Sequence, residues 1–309
     1  MSPGEGDLYI GGPPRLQRAA MGMPIDQDSV AGLSPAELSR FVAAVLAEDL
    51  GGGDVTSIAT IPAEARFFAV LATREPVVVA GIGLAEAFFR ALDPDVAIER
   101  CIADGDRADA GDALMRLSGN ARAMLSAERS ALNTLQHLTG IATMTRRYVD
   151  TIAGTGCVLL DTRKTVPGLR MPEKYAALMG GAQNHRLRLD DGLLIKDNHI
   201  AVAGGVAAAV RAAKAADAGL PVQVEVDSID QIEVALAAGA DRLLCDNMAP
   251  ATLREAVALV AGRVPIEASG GVRLETILGI AATGVTYVSV GRITQSAPAA
   301  DIGMDYTVR

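Results

Sequence analysis

The sequence predicts an α/β protein in two parts, an α+β module followed by a series of βα repeats. The repeats are the first observation. Four strand-like runs, VQVEVD from 222, RLLCDN from 242, VPIEASGG from 264 and TYVSVG from 286, begin about 20–22 residues apart, and a helical stretch follows each of the first three. GCVLLDT near 156 and LLIKD near 193 raise the number of runs to six. Right-handed βα repeats of this regularity build either a barrel or a doubly wound sheet. The second observation is a different rhythm upstream. Between about 64 and 119 the runs ARFFAVLAT, EPVVVAGI, DVAIERCIA and ALMRLSG are separated by Gly, Asp and Pro, with one helical stretch near 83–91. That pattern gives a mostly antiparallel sheet. The third is composition. The chain has 309 residues, 50% hydrophobic and 21% charged, which suits about two domains of ~150 residues with well-formed cores. Trp is absent and aromatics are 3%, so Ala, Val, Leu and Ile build those cores.

In chain order, residues 1–27 are rich in Gly and Pro without a hydrophobic period and read as a flexible tail. Ser34, Pro35 and Glu37 form a helix start, and Leu38, Phe41, Val42 and Val45 continue it at helical spacing, predicting a helix over about 35–48. Met124, Leu125, Leu132, Leu135, Leu138, Ile141 and Met144 support one long helix or a broken pair over 121–152. Ser228 and Gln231 stand at capping-box spacing before the helix that follows VQVEVD.

The net charge of −9 argues against a general nucleic-acid or anionic-membrane binder, since such proteins need broad Lys/Arg surfaces. Cys101, Cys157 and Cys245 are far apart and in no CxxC spacing. They support neither a disulfide framework nor a zinc site, and a reducing, cytoplasmic compartment is expected. No run of 18 apolar residues is present, so a membrane span is not expected.

Barrel enzymes place catalytic groups at the C-terminal ends of strands. Every run here closes on polar, charged or glycine residues: Asp161, Thr162, Arg163 and Lys164; Lys196 to His199; Glu225 and Asp227; Asp246 and Asn247; Ser269, Gly270 and Gly271; and Gly291. From Asp161 to Lys196, seven Lys/Arg outnumber four acids, a local reversal of sign. Arg170, Lys174 and Arg188 are read equally as a solvated face or as part of a pocket. Arg163, Lys164 and Lys196, beside strand ends, suit an anionic ligand. Glu225 and Asp246 close successive strands, where paired carboxylates can bind Mg²⁺, hydrogen-bond sugar hydroxyls or act as general acid and base. The glycines of the last two runs let backbone N–H groups approach a phosphate. Together these suggest a site for two anions, one of them a phosphorylated sugar.

The segments EDLGGGDVTS (48–57), AERSALNTLQHLTGIAT (127–143), DTRKTVPGLR (161–170), EKYA (173–176), GGAQNHR (180–186), LIKDNHI (194–200), VEVDS (224–228), CDNM (245–248), EASGG (267–271) and TGVTYVSVGRITQSAP (283–298) resemble those of the quinolinate phosphoribosyltransferase family. The likeness covers about 35–309. It implies an N-terminal α/β sandwich domain over 28–131, completed by 292–309, and an open, incomplete β/α barrel over 132–291. It also implies a reaction in NAD biosynthesis. Quinolinate and phosphoribosyl pyrophosphate give nicotinate mononucleotide, pyrophosphate and CO₂, with Mg²⁺. Arg129, Arg163, His185 and Arg186 are then expected to bind quinolinate, Arg129 reaching across a homodimer that can assemble further to a hexamer. Lys164 and Lys196 would lie near both the acid and the pyrophosphate. Glu225 and Asp246 would hold the ribose and the metal, the metal either directly or through the substrate. Ser269, Gly270, Gly271, Gly291 and Gln295 would hold the 5-phosphate.

Two positions depart from the family pattern. Ala182 stands where a third glycine is common, and Gln295 where a histidine is common. His137 reads as a satisfied helix residue and His199 as one that orients its loop. The rival readings are a relative acting on another pyridine or azole acid, a Schiff-base aldolase using Lys164 or Lys196, and a non-catalytic nucleotide-binding paralogue.

Overall fold

A computed structural model describes residues 29–307; the expected tail over 1–27 lies outside them. The first part comprises α1 (Pro35–Leu50), α2 (Val55–Thr60), β1 (Arg66–Thr73), β2 (Val77–Val78), α3 (Ile82–Leu92), β3 (Ala97–Arg100), β4 (Arg107–Ala108) and β5 (Ala113–Asn120). The helix start expected at Ser34 forms as a full capping box, its hydroxyl accepting from Glu37 N–H and the Glu37 carboxylate from Ser34 N–H. Such a cap contributes about 1 kcal/mol.

The 31-residue α4 (Ala121–Thr151) follows without a break. Its buried side is continuous from Ala121 to Tyr148 and packs on α3. The boundary expected between 131 and 132 therefore falls inside one helix, which is shared between the two parts.

The second part comprises β6 (Val158–Leu160), α5 (Arg170–Met179), β7 (Leu193–Ile195), α6 (Asp197–Ala203), α7 (Val206–Ala215), β8 (Val222–Val226), α8 (Asp230–Ala237), β9 (Arg242–Asp246), α9 (Pro250–Val260), β10 (Ile266–Ser269), α10 (Leu274–Ala281), β11 (Tyr287–Ser289) and α11 (Arg292–Gln295). The described residues end in β12 (Ile302–Thr307), which returns to pair with β1. The upstream sheet has the order β12-β1-β5-β3 with antiparallel neighbours, so the C-terminal segment completes it.

The downstream sheet is parallel, in the order β6-β11-β10-β9-β8-β7. All six strands stand where the sequence runs predict them. The end strands β6 and β7 are not paired with each other, so the barrel is open along one seam. The segment between α5 and β7 occupies that seam. Gln183 bridges to Leu160 of β6, and Arg186 Nη1 donates to Gly192 O at 2.8 Å, just before β7.

Side-chain alternation along strands sends every second residue to the same face. Gln223 and Glu225, Leu244 and Asp246, Glu267 and Ser269 thus share the interior face, and all but Gln223 line one cavity at the strands' C-terminal end. The intervening Val224, Leu243, Cys245, Ile266 and Ala268 belong to the hydrophobic core.

One local expectation fails. Ser228 and Gln231 make no capping box, because α8 starts only at Asp230 and has no side-chain cap. Gln231 Oε1 instead accepts Asp227 N–H at 3.0 Å, just beyond β8. Among the described residues no helix is long and apolar enough to cross a membrane.

Candidate active site

The cavity at the C-terminal ends of the parallel strands has a volume of about 720 Å³. It gathers Arg163, Lys164, His185, Arg186, Lys196, Glu225, Asp246, Ser269, Gly270, Gly271, Gly291 and Gln295, every expected site residue except Arg129. Arg129 is exposed on α4 and does not line it. A slightly larger cavity, about 790 Å³, opens at the opposite ends of the strands. Two of its cations are taken up in ion pairs, Lys214 with Asp241 and Arg263 with Glu233.

One wall is cationic because the chain leaves β6 and fills the seam with basic residues. Among the described residues Arg163, Lys164 and Arg186 pair with no carboxylate. Arg163 Nε is buried and has no hydrogen-bond partner. Burial, with Arg163 alongside, lowers the pKa of the Arg186 guanidinium. Asp191 acts on Arg186 in the opposite sense without forming an ion pair with it, so two neighbouring guanidiniums that form no salt bridge are left as forked donors for an anion such as a carboxylate.

A buried network holds this wall. Lys174 on α5 and Asp161 at the end of β6 are both fully buried. Lys174 Nζ donates to Asp161 Oδ1 and to His185 O. Asp161 also accepts from His185 N–H at 2.7 Å and from Asn184 Nδ2 at 2.6 Å. The solvated reading thus fails for Lys174, which is a strut behind the site. Arg170 is partly buried, bonding Thr165 and Leu187 O, whereas Arg188 is exposed beside Asp190.

His185 lines the cavity. Nδ1 accepts Arg186 N–H at 2.8 Å, and Nε2 lies 3.5 Å from Glu267 Oε2. His137 bonds the fully buried Glu173, and His199 Nδ1 accepts Lys196 N–H, so both do the local work expected of them.

The opposite wall is acidic. Glu225 is mostly buried and accepts from Lys196 Nζ at 2.7 Å. Asp246 accepts from the side chain of Asn247, its neighbour, at 2.6 Å. Asn247 has φ 53° and donates its own N–H to Ser269 O, tying the ends of β9 and β10 together. A Cβ at Gly270 would stand 2.2 Å from Asn247 Oδ1 and 2.8 Å from its N, so only glycine fits there. At Gly291 a Cβ would meet Lys164 Cδ at 2.6 Å; the missing side chain is what lets the lysine stem lie across this loop.

Two family models match the chain: the quinolinate phosphoribosyl transferase N-terminal domain over residues 54–139 and its C-terminal domain over 141–305. The chain belongs to the quinolinate phosphoribosyltransferase family. It is 43% identical over 269 residues to a carboxylating nicotinate-nucleotide pyrophosphorylase of Mycobacterium leprae, covering 84% of this chain and 94% of the relative. It is 40% identical over 273 residues to a probable enzyme of the same name from Bacillus subtilis, covering 88% and 94%. The solved nicotinate-nucleotide pyrophosphorylase of Francisella tularensis superposes with a TM-score of 0.86 at 38% identity, covering 91% of this chain and all of that one. Family membership sets the aldolase reading aside.

The family member's cavity also includes Thr162, Asn247, Glu267, Arg273 and Arg292, which sequence reasoning did not assign. Arg273 stands two residues beyond Gly271 and Arg292 directly after Gly291. A cation just past each glycine segment was the available signal for a phosphate. Of the two departures, Ala182 is buried in the core without disturbing the bridge made by Gln183, and Gln295 does line the cavity.

Among the described residues no group of three or more His, Cys, Asp or Glu is arranged to hold a metal ion. Glu225 and Asp246 supply two carboxylates. Mg²⁺ commonly takes one or two carboxylates and completes its shell with substrate phosphates and water. The donor set fits a magnesium ion that arrives with a pyrophosphate.

Proposed function

We propose that the chain is a quinolinate phosphoribosyltransferase, converting quinolinate and phosphoribosyl pyrophosphate to nicotinate mononucleotide, pyrophosphate and CO₂. The observation that carries this reading is the unpaired guanidinium pair, Arg163 and Arg186, facing two carboxylates across one cavity. Arg163 and Arg186 bind the carboxylates of the pyridine acid and aim its ring nitrogen at the ribose. Ser269, Gly270, Gly271, Gly291 and Gln295, with Arg273 and Arg292 nearby, hold the 5-phosphate.

As the ring nitrogen attacks C1, the bond from C1 to the pyrophosphate oxygen breaks, and positive charge builds on the ribose while negative charge leaves with the pyrophosphate. Glu225 and Asp246 stabilise the first and bind the ribose hydroxyls; Lys164 and Lys196 stabilise the second. Lys196 already holds Glu225, so one ion pair links the two halves of this charge separation. Glu225 and Asp246 would also hold Mg²⁺ through the substrate, where it neutralises charge on the departing pyrophosphate. The quaternised pyridinium then loses its 2-carboxylate as CO₂. The electron pair left at C2 is stabilised by the adjacent ring N⁺ and takes a proton from solvent. No side-chain nucleophile is required.

Arg129 is exposed and does not line the cavity of its own chain, which supports a homodimer, with or without assembly to a hexamer, in which Arg129 completes the partner's acid subsite. Three unpaired cysteines support a reducing, cytoplasmic setting.

The test is an assay of the purified protein with Mg²⁺ and phosphoribosyl pyrophosphate, offering quinolinate, nicotinate and other pyridine or azole acids separately. CO₂ and mononucleotide should appear in equal amounts with quinolinate alone. Pyrophosphate release with a different acid would move the protein to another substrate, and ligand binding without turnover would indicate a non-catalytic paralogue.

A further inference from the structure

We propose that Glu173 is a positioning residue of the acid subsite, clamping the loop that carries Arg163 and Lys164 to the helix α4. The proposal rests on the reading of Arg163 as a ligand for the pyridine acid. Glu173 stands in the first turn of α5, is fully buried and does not line the cavity. Its two oxygens reach two different parts of the molecule. Oε2 accepts Val166 N–H at 3.2 Å, and Oε1 bonds His137 Nε2 of α4 at 2.8 Å. An acidic group buried this deeply is costly unless its hydrogen bonds are made, and here each oxygen makes one. Glu173 thereby fastens the loop to the helix that both parts of the chain share.

The loop over 162–169 depends on such a fastening. Lys164, Val166, Pro167 and Gly168 are exposed, so packing holds little of it and hydrogen bonds set its course. Pro167 and Gly168, the latter at φ 84°, make a type II turn closed by Leu169 N–H on Val166 O at 3.0 Å. Glu173 grips that turn at its first residue. Thr165, next to it, donates its N–H to Arg163 O at 3.0 Å, so the grip reaches Arg163 through one residue. Lys164 has a separate tether, its carbonyl accepting from Thr294 Oγ1 of α11 at 2.8 Å. Losing the Glu173 grip therefore falls on the acid more than on phosphoribosyl pyrophosphate. What the turn needs is an acceptor and not a charge. A glutamine in place of Glu173 can present its oxygen to Val166 N–H and its nitrogen to His137, whose ring then accepts on Nε2 with its proton on Nδ1. An aspartate keeps the acid but is one methylene shorter and does not span both partners.

The test is steady-state kinetics of the full-length protein, with each substrate varied in turn, on Glu173→Met, Glu173→Asp and Glu173→Gln. KM for quinolinate should rise about tenfold in Glu173→Met and Glu173→Asp, because small misplacements of a positioning group cost on the order of that factor or more. KM for phosphoribosyl pyrophosphate should stay within about threefold of wild type in both, and Glu173→Gln should stay within about threefold for either substrate. Equal rises toward both substrates would make Glu173 a general support of the fold and overturn the proposal. So would a Glu173→Asp enzyme closer to wild type than Glu173→Gln, which would mean that the charge and not the acceptor matters. If Glu173→Met does not fold, the order of the Gln and Asp variants still decides. The reading of Arg163 is tested separately: it fails if Arg163→Ala leaves KM for quinolinate unchanged, whereas the clamp alone fails if Arg163→Ala raises that KM and Glu173→Met and Glu173→Asp do not.

Discussion

Lys174→Met is expected to destabilise the protein by about 3–5 kcal/mol, the range for removing one partner of a buried ion pair, and to lower Tm by roughly 10 °C. Methionine fills the space of the lysine stem, so the loss is electrostatic. Asp161 stays fully buried, still bonded to His185 N–H and Asn184 but without its cation. The pH dependence has a definite sign. Burial raises the Asp161 carboxyl in the fold even with Lys174 present, and removing the cation raises it further. A carboxyl raised above its unfolded value binds more protons in the folded state, so its penalty grows as pH rises and shrinks as pH falls. Thermal melts of the variant should therefore recover part of the deficit on acidification from pH 8 toward roughly pH 5. A variant melting within about 2 °C of wild type at neutral pH would show that the Lys174 and Asp161 pair is not a strut.

Arg163→Ala should lower kcat/KM for quinolinate by about 100- to 1,000-fold, as expected when one member of a desolvated charged contact is truncated. Arg163 Nε is already buried without a partner, so the apo protein bears the cost of that orphaned donor and the ligand relieves it. Binding of phosphoribosyl pyrophosphate should be spared, because the glycine segments and the carboxylates lie on the other walls. Arg163→Lys restores the charge but not the fork, and should recover little of the loss. The check is steady-state kinetics with each substrate varied in turn. Equal loss toward both substrates would contradict the assignment of this wall to the acid.

Much of this architecture is legible in the chain because short-range patterns set it. The six apolar runs with polar closers fix both the parallel sheet and the end at which the cavity forms. Arg163, Lys164, Lys196, Glu225 and Asp246 were readable for the same reason, each lying at or close to the C-terminal end of a strand. The misses share a physical cause, which is that they depend on what packs opposite. α5 buries Glu173 and Lys174 beside Ala176 and Ala177, and nothing in the spacing tells which face of that charged helix meets β6. Glu267 sits in a run that is apolar apart from itself and the closing serine. Its interior position follows from strand alternation, but its partners come from β8 and from the seam. Ser228 failed as a cap because Gln231 bonds Asp227 N–H at the strand end, a competing local bond that capping-box spacing does not reveal. Asn247 was quoted as part of CDNM, yet its hold on Asp246 needs the left-handed backbone and the empty space at Gly270.

The arrangement of the site is tested most directly by a crystal structure with phosphoribosyl pyrophosphate, Mg²⁺ and benzene-1,2-dicarboxylate, which keeps two adjacent carboxylates but lacks the nucleophilic ring nitrogen. The carboxylates should lie on Arg163 and Arg186, the ribose against Glu225 and Asp246, and the 5-phosphate on Gly270, Gly271 and Gly291. A dicarboxylate bound on the glycine side, or a 5-phosphate seated on Arg163 and Arg186, would contradict it.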